Sequence, residues 1–118
     1  MGLLNQIKDN FTRAEFKVLP DKQLKTISAE FEKAFGVQLV FYKGRQIADG
    51  ELTLEQLNER TRKEINLNAS GLKIKASMRV GEAEDLFDTH FGIKVQIKKN
   101  GGLAPNNITI GAVARGEY

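Results

Sequence analysis

Two stretches decide the fold: Phe31-Glu32-Lys33-Ala34-Phe35-Gly36-Val37-Gln38-Leu39-Val40-Phe41-Tyr42-Lys43-Gly44 and Phe87-Asp88-Thr89-His90-Phe91-Gly92-Ile93-Lys94-Val95-Gln96-Ile97-Lys98-Lys99-Asn100. Laid over one another with a shift of 56 residues, they align without a gap. Phe31 meets Phe87, Phe35 meets Phe91, Gly36 meets Gly92 and Lys43 meets Lys99; further on, Ala48 meets Ala104 and Thr53 meets Thr109. The apolar phase holds between these identities: Val37, Leu39 and Phe41 against Ile93, Val95 and Ile97, then Ile47, Leu52, Leu54 and Leu57 against Leu103, Ile108, Ile110 and Val113. Upstream, Phe16, Val18 and Leu24 match Leu72, Ile74 and Val80. Register and hydrophobic phase preserved together argue for one copied segment. The expectation is a single domain, 1–118, with two pseudo-repeats at about 14–57 and 70–113.

Periodicity assigns the local structure. Residues 22–35 place Leu24, Ile27, Phe31, Ala34 and Phe35 on one helical face, with Asp21 as the expected N-cap and Gly36 just past the end. Residues 82–91 repeat this with Ala83, Leu86, Phe87 and Phe91 ahead of Gly92. Strict alternation follows each glycine, over 37–42 and 93–98, and ends in the turn signals Lys43-Gly44 and Asn100-Gly101-Gly102. A short returning strand is expected around Ile47 and around Leu103. Thr53, with Gln56 three residues on, reads as a capping box for a helix near 54–65, and Thr109 opens a shorter equivalent. Residues 14–19 and 71–78 alternate as strands, and 3–11 carry Leu3, Leu4, Ile7 and Phe11 on a helical face. The fold class is therefore α+β: duplicated β-α-β-(β)-α units sharing one sheet, helices on one face, in the β-α-β-β-α-β order of a ferredoxin-like fold.

The segment from Gln38 through Tyr42-Lys43-Gly44-Arg45 to Gly50, followed by Thr53-Leu54 and preceded by the helix from Thr26 to Phe35, resembles part of the ubiquitin-like β-grasp family. The resemblance covers about a third of the chain and implies a β-grasp as the alternative fold. The family's first hairpin is not evident and the chain lacks a terminal diglycine, so no conjugation chemistry is implied.

Composition removes several chemistries. The 118 residues are 41% hydrophobic and 28% charged, enough for a packed core under a soluble surface and unlike a disordered chain. There is no cysteine, hence no disulfide scaffold, thiol nucleophile or thiolate metal site. His90 is the only histidine and has no Ser or Asp partner in the pattern, so neither a multi-histidine metal site nor a catalytic triad is expected. Glu82, Glu84, Asp85 and Asp88 share the start and middle of one helix, where acids favour the helix dipole. The glycines match no phosphate-cradling motif. No apolar run is long enough to span a bilayer, and the first residues read as neither a signal peptide nor a myristoylation site. The expectation is a cytoplasmic protein that is not an enzyme, with no cofactor, metal, membrane or small-molecule substrate.

The outward strand positions carry the functional signal. If the apolar phase faces the helices, the other side shows Lys17, Gln38, Val40, Tyr42, Lys73, Lys75, Lys94, Gln96 and Lys98, with no acid counted among them. Charges of both signs usually mix on a solvated sheet, because like charges across strands repel. From this set Lys17, Val40, Tyr42, Lys73, Lys75, Lys94 and Lys98 are expected to contact a protein partner or a second copy of the chain. Binding of single-stranded nucleic acid on the same face, with Tyr42 stacking, is the alternative. A plain solvated lysine face is the third reading.

Overall fold

A computed structural model describes residues 15–59 and 72–118 as a mixed α/β fold with antiparallel sheets and four helices. In chain order these residues form β1 (Glu15–Val18), α1 (Leu24–Phe35), β2 (Gln38–Lys43), β3 (Gln46–Ile47), α2 (Leu54–Glu59), β4 (Leu72–Lys75), α3 (Val80–Phe91), β5 (Lys94–Lys99), β6 (Gly102–Leu103) and α4 (Ile110–Ala114). The helix expected over 3–11 lies outside the described residues, as does the end of the helix expected to reach 65.

Local signals in the chain account for these boundaries. Each long helix ends on a left-handed glycine, Gly36 at φ 73° and Gly92 at φ 69°. The hairpins close through two different turns. Gly44 alone takes positive φ between Lys43 and Gln46, whereas Asn100 and Gly101 both do between Lys99 and Gly102. The first fits a glycine-led II′ turn and the second an Asn-Gly I′ turn. Thr53 and Gln56 form the reciprocal capping box, at 2.9 and 3.1 Å, and Thr109 accepts from the Ala112 N–H at 3.1 Å. The start of α1 departs from expectation. Its cap is Gln23 in extended conformation, whose side chain makes no capping bond and instead donates to the Glu51 carbonyl at 3.1 Å, and Asp21 lies outside the helix.

The strands do not share one sheet. β1 and β4 form a two-stranded antiparallel sheet, and β3-β2-β5-β6 form a separate four-stranded one. A ferredoxin-like sheet is thus not assembled, because β2 gives its free side to β5 rather than to β1. The β-grasp alternative fares no better: among the described residues no hairpin precedes α1, and β1 pairs only with β4. Both long pairings include a pair of residues 56 apart, Lys17 opposite Lys73 and Val40 opposite Gln96. This places the two halves of the chain about a local twofold relation.

The interior is common to both halves. Phe31, Phe35, Phe87 and Phe91 are each at most 1% exposed, and they pack with Leu24, Ile27, Ile74, Ile93 and Ile97 in one cluster. Phe16, Phe31 and Phe35 meet edge to face with centroids 4.9–5.9 Å apart, a favoured aromatic geometry. The short helices cross between halves. The Asn58 side chain at the end of α2 donates to the Phe91 carbonyl, and α4 packs on α1, bringing Ala114 beside Gly36. Lys99 Nζ then donates to the Gly36 and Ala114 carbonyls at 3.4 and 3.2 Å.

Candidate functional site

The expected site residues fall on two different sheets. Lys17, Lys73 and Lys75 are exposed on β1 and β4. Val40, Tyr42, Lys94 and Lys98 lie on β2 and β5, with Gln38 and Gln96. The expectation of an acid-free face holds for only one of the two sheets. Glu15, in the same alternating phase as Lys17, lies opposite Lys75 and reaches Lys75 at 3.4 Å and Lys73 at 3.9 Å. That carboxylate offsets the direct Lys17–Lys73 opposition, and an exposed pair of this kind contributes at most about 1 kcal/mol. The two-stranded sheet therefore presents a partly compensated face, three exposed lysines around one carboxylate.

The outer face of the four-stranded sheet differs. Cross-strand register arranges it in three rows: Ile47, Tyr42 and Lys94; then Val40 and Gln96; then Gln38, Lys98 and Leu103. None of these eight residues is acidic. Val40, Tyr42, Gln96 and Lys98 are half-buried by their neighbours. Ile47 and Leu103 are 68% and 64% exposed, the most exposed large aliphatic side chains among the described residues. The sequence places both in short returning strands and assigns neither a face. A two-residue hairpin settles their direction: Ile47 sits directly opposite Tyr42, and Leu103 opposite Lys98, so each shares its partner's face.

The cations on this face form no ion pair among the described residues. Lys22, Lys25, Lys73, Lys75 and Arg115 all pair with carboxylates. The side chains of Arg45, Lys94 and Lys98 pair with no acid among the described residues. Beside them, Tyr42, Gly44, Arg45, Lys94 and Gln96 line a shallow cleft of about 220 Å³, several times the ~30 Å³ share of one water molecule.

The acidic residues of α3 play a more specific part than dipole support. Glu84 reaches the edge of β5 and accepts from the Ile97 N–H at 2.9 Å. Its carboxyl is held above the usual range, chiefly by burial and further by Asp85, with the Ile97 hydrogen bond opposing. His90 lies beside Phe91, centroids 4.9 Å apart, and its Nε2 has no hydrogen-bond partner. Among the described residues no group of three or more His, Asp or Glu converges as a metal site, and no helix is long and apolar enough to cross a membrane. Comparison with protein families, curated proteins and solved structures finds no match.

Proposed function

We propose that this chain is a non-enzymatic protein-binding module that meets its partner through the outer face of the four-stranded sheet. The observation supporting this reading is the company kept by Ile47 and Leu103. Two exposed aliphatic side chains share one sheet face with Val40, Tyr42 and unpaired lysines, and with no acid. Isolated apolar residues on a surface are ordinary, but an apolar cluster inside a polar rim marks an interaction surface. The absence of enzymatic chemistry is argued from the sequence, which offers no thiol and a single histidine. Tyr42 is the one aromatic on the face, which favours a protein over single-stranded nucleic acid, whose platforms stack successive bases.

The partner on this reading is another protein or a second copy of the chain in the cytoplasm. We also infer that the halves descend from one copied segment. Supporting this, α1, β2 and β3 recur as α3, β5 and β6 with boundaries shifted by 56 residues throughout. A photo-crosslinking residue at position 47, compared with one at position 17, tests the reading in the native cell. Discrete crosslinked products from position 47 alone support it; products from position 17 alone contradict it. The self-assembly version predicts that Val40→Ser with Tyr42→Ser lowers the sedimenting mass.

A further inference from the structure

Resting on that reading, we propose that the cleft beside the β2–β3 turn receives an acidic side chain of the partner, from a segment that alternates acidic with apolar residues. Arg45 and Lys94 approach this cleft from different elements, the turn and β5. Neither pairs with a carboxylate among the described residues, although other lysines there do. Tyr42 forms one wall and Gln96 adds a neutral donor and acceptor at the base. A carboxylate placed there would make charge-assisted hydrogen bonds to the guanidinium, the geometry for which arginine is best suited.

What surrounds the cleft defines the rest of the segment. Ile47 lies across β2 from Tyr42, and Val40 lies two residues along the same strand. Neighbouring strands put such side chains about 5 Å apart. A residue anchored between Arg45 and Lys94 therefore leaves its neighbours over aliphatic surface, where apolar side chains displace water. A nucleic acid would bring a regular line of phosphates and no apolar group for Ile47 or Leu103. The segments outside the described residues favour an acid from a partner, since basic residues outnumber acidic ones in both. Residues 1–14 carry Lys8, Asp9 and Arg13, and residues 60–71 carry Arg60, Arg62, Lys63 and Glu64, so both segments are net positive.

The test is an NMR titration of the full ¹⁵N-labelled chain with a short soluble peptide alternating glutamate and valine. Oligo-dT of equal formal charge serves as the second probe. The proposal expects amide shifts at Tyr42, Arg45, Lys94 and Gln96 with the peptide. The apparent affinity should fall at least tenfold in Arg45→Glu and Lys94→Glu, and be unchanged in Lys17→Glu, on the other sheet. Shifts at Val40 and Ile47 that survive both substitutions would leave the sheet face as the binding surface but overturn the acidic anchor. Peptide shifts confined to β1 and β4, or none at all, would overturn both. Stronger shifts with oligo-dT at the same residues would overturn the protein partner, and concentration-dependent shifts without peptide would replace it by a second copy.

Discussion

The two halves of this chain share a frame and differ in what they show to solvent. Inside, Phe31 and Phe87, Phe35 and Phe91, Leu24 and Val80, and Leu54 and Ile110 occupy matching positions and are all buried. On the outer face of the four-stranded sheet the matching positions are unlike: Tyr42 against Lys98, Val40 against Gln96, Gln38 against Lys94. The result is lopsided. Ile47, Tyr42 and Val40 form an apolar corner beside the Arg45 cleft, while Leu103 at the opposite corner stands next to Lys98. Packing holds the interior positions to one solution, because a close-packed core resists volume changes. Surface positions are under no such constraint, and there the two halves differ.

One contact shows how the frame tolerates change. Near the start of α1, Lys25 donates its N–H to the Gly50 carbonyl, and a Cβ at Gly50 would stand 3.1 Å from the Lys25 Cβ. In the other half Gly81 donates to the Asn106 carbonyl, and a Cβ at Gly81 would stand 3.1 Å from the Asn106 Cβ. Positions 25 and 81 are 56 apart, as are 50 and 106, and the glycine sits on the loop in one half and on the helix in the other. A Cβ on both members would be tighter than an ordinary contact, and a glycine on either side relieves it.

The largest expected effect tests whether the halves share a core. Phe31→Ala and Phe87→Ala should each cost about 3–5 kcal/mol, read as urea midpoints of the full chain. A large loss from one and almost none from the other would break the equivalence. Next comes the glycine exchange. Gly50→Ala should cost about 1–3 kcal/mol by overpacking, and Lys25→Gly in the same chain should recover part of it. No recovery in thermal melts would mean that the 3.1 Å approach does not set the cost.

Glu84 has Ser28 as its counterpart, whose hydroxyl instead donates to the Leu39 carbonyl at 2.8 Å. A carboxyl with a raised folded-state pKa binds its proton more tightly folded than unfolded, so its ionised form weakens the fold. That penalty is complete above the folded-state pKa and fades as pH falls toward the ordinary value of 4.5. The stability difference between the natural chain and Glu84→Gln should therefore move in favour of the natural chain on acidification from pH 7 toward 4.5. A difference independent of pH would contradict the assignment. The smallest expected effect lies in the caps. Thr53→Ala and Thr109→Ala should each cost about 1 kcal/mol. The two should cost alike, because each removes one hydroxyl acceptor from a backbone N–H, and the Gln56 bond to the Thr53 backbone N–H survives the substitution.

Helices, turns and the caps other than Asp21 were legible in the sequence because their causes are local: a 3.6-residue apolar period, a glycine at a left-handed cap, a threonine three residues before a glutamine. Sheet partnership was not, since β1–β4 and β2–β5 pairing depends on contacts 56 residues apart and no local signal states which edges meet. Phase alone could have revealed Glu15, which alternates with Phe16 as Lys17 does. Ile47 and Leu103 needed one step more, counting back across a two-residue turn to see that an apolar residue opposite Tyr42 must share its face. Glu84 carries no sequence mark that separates it from Glu82 or Asp85, because its role comes from the height at which α3 crosses β5.

The most direct measurement is hydrogen exchange across the full chain, alone and bound to a partner purified with it. The account predicts slowed exchange over 40–47 and 94–98 on binding, with 15–18 and 72–75 unchanged. Protection of the β1–β4 sheet with none on β2 and β5 would contradict it.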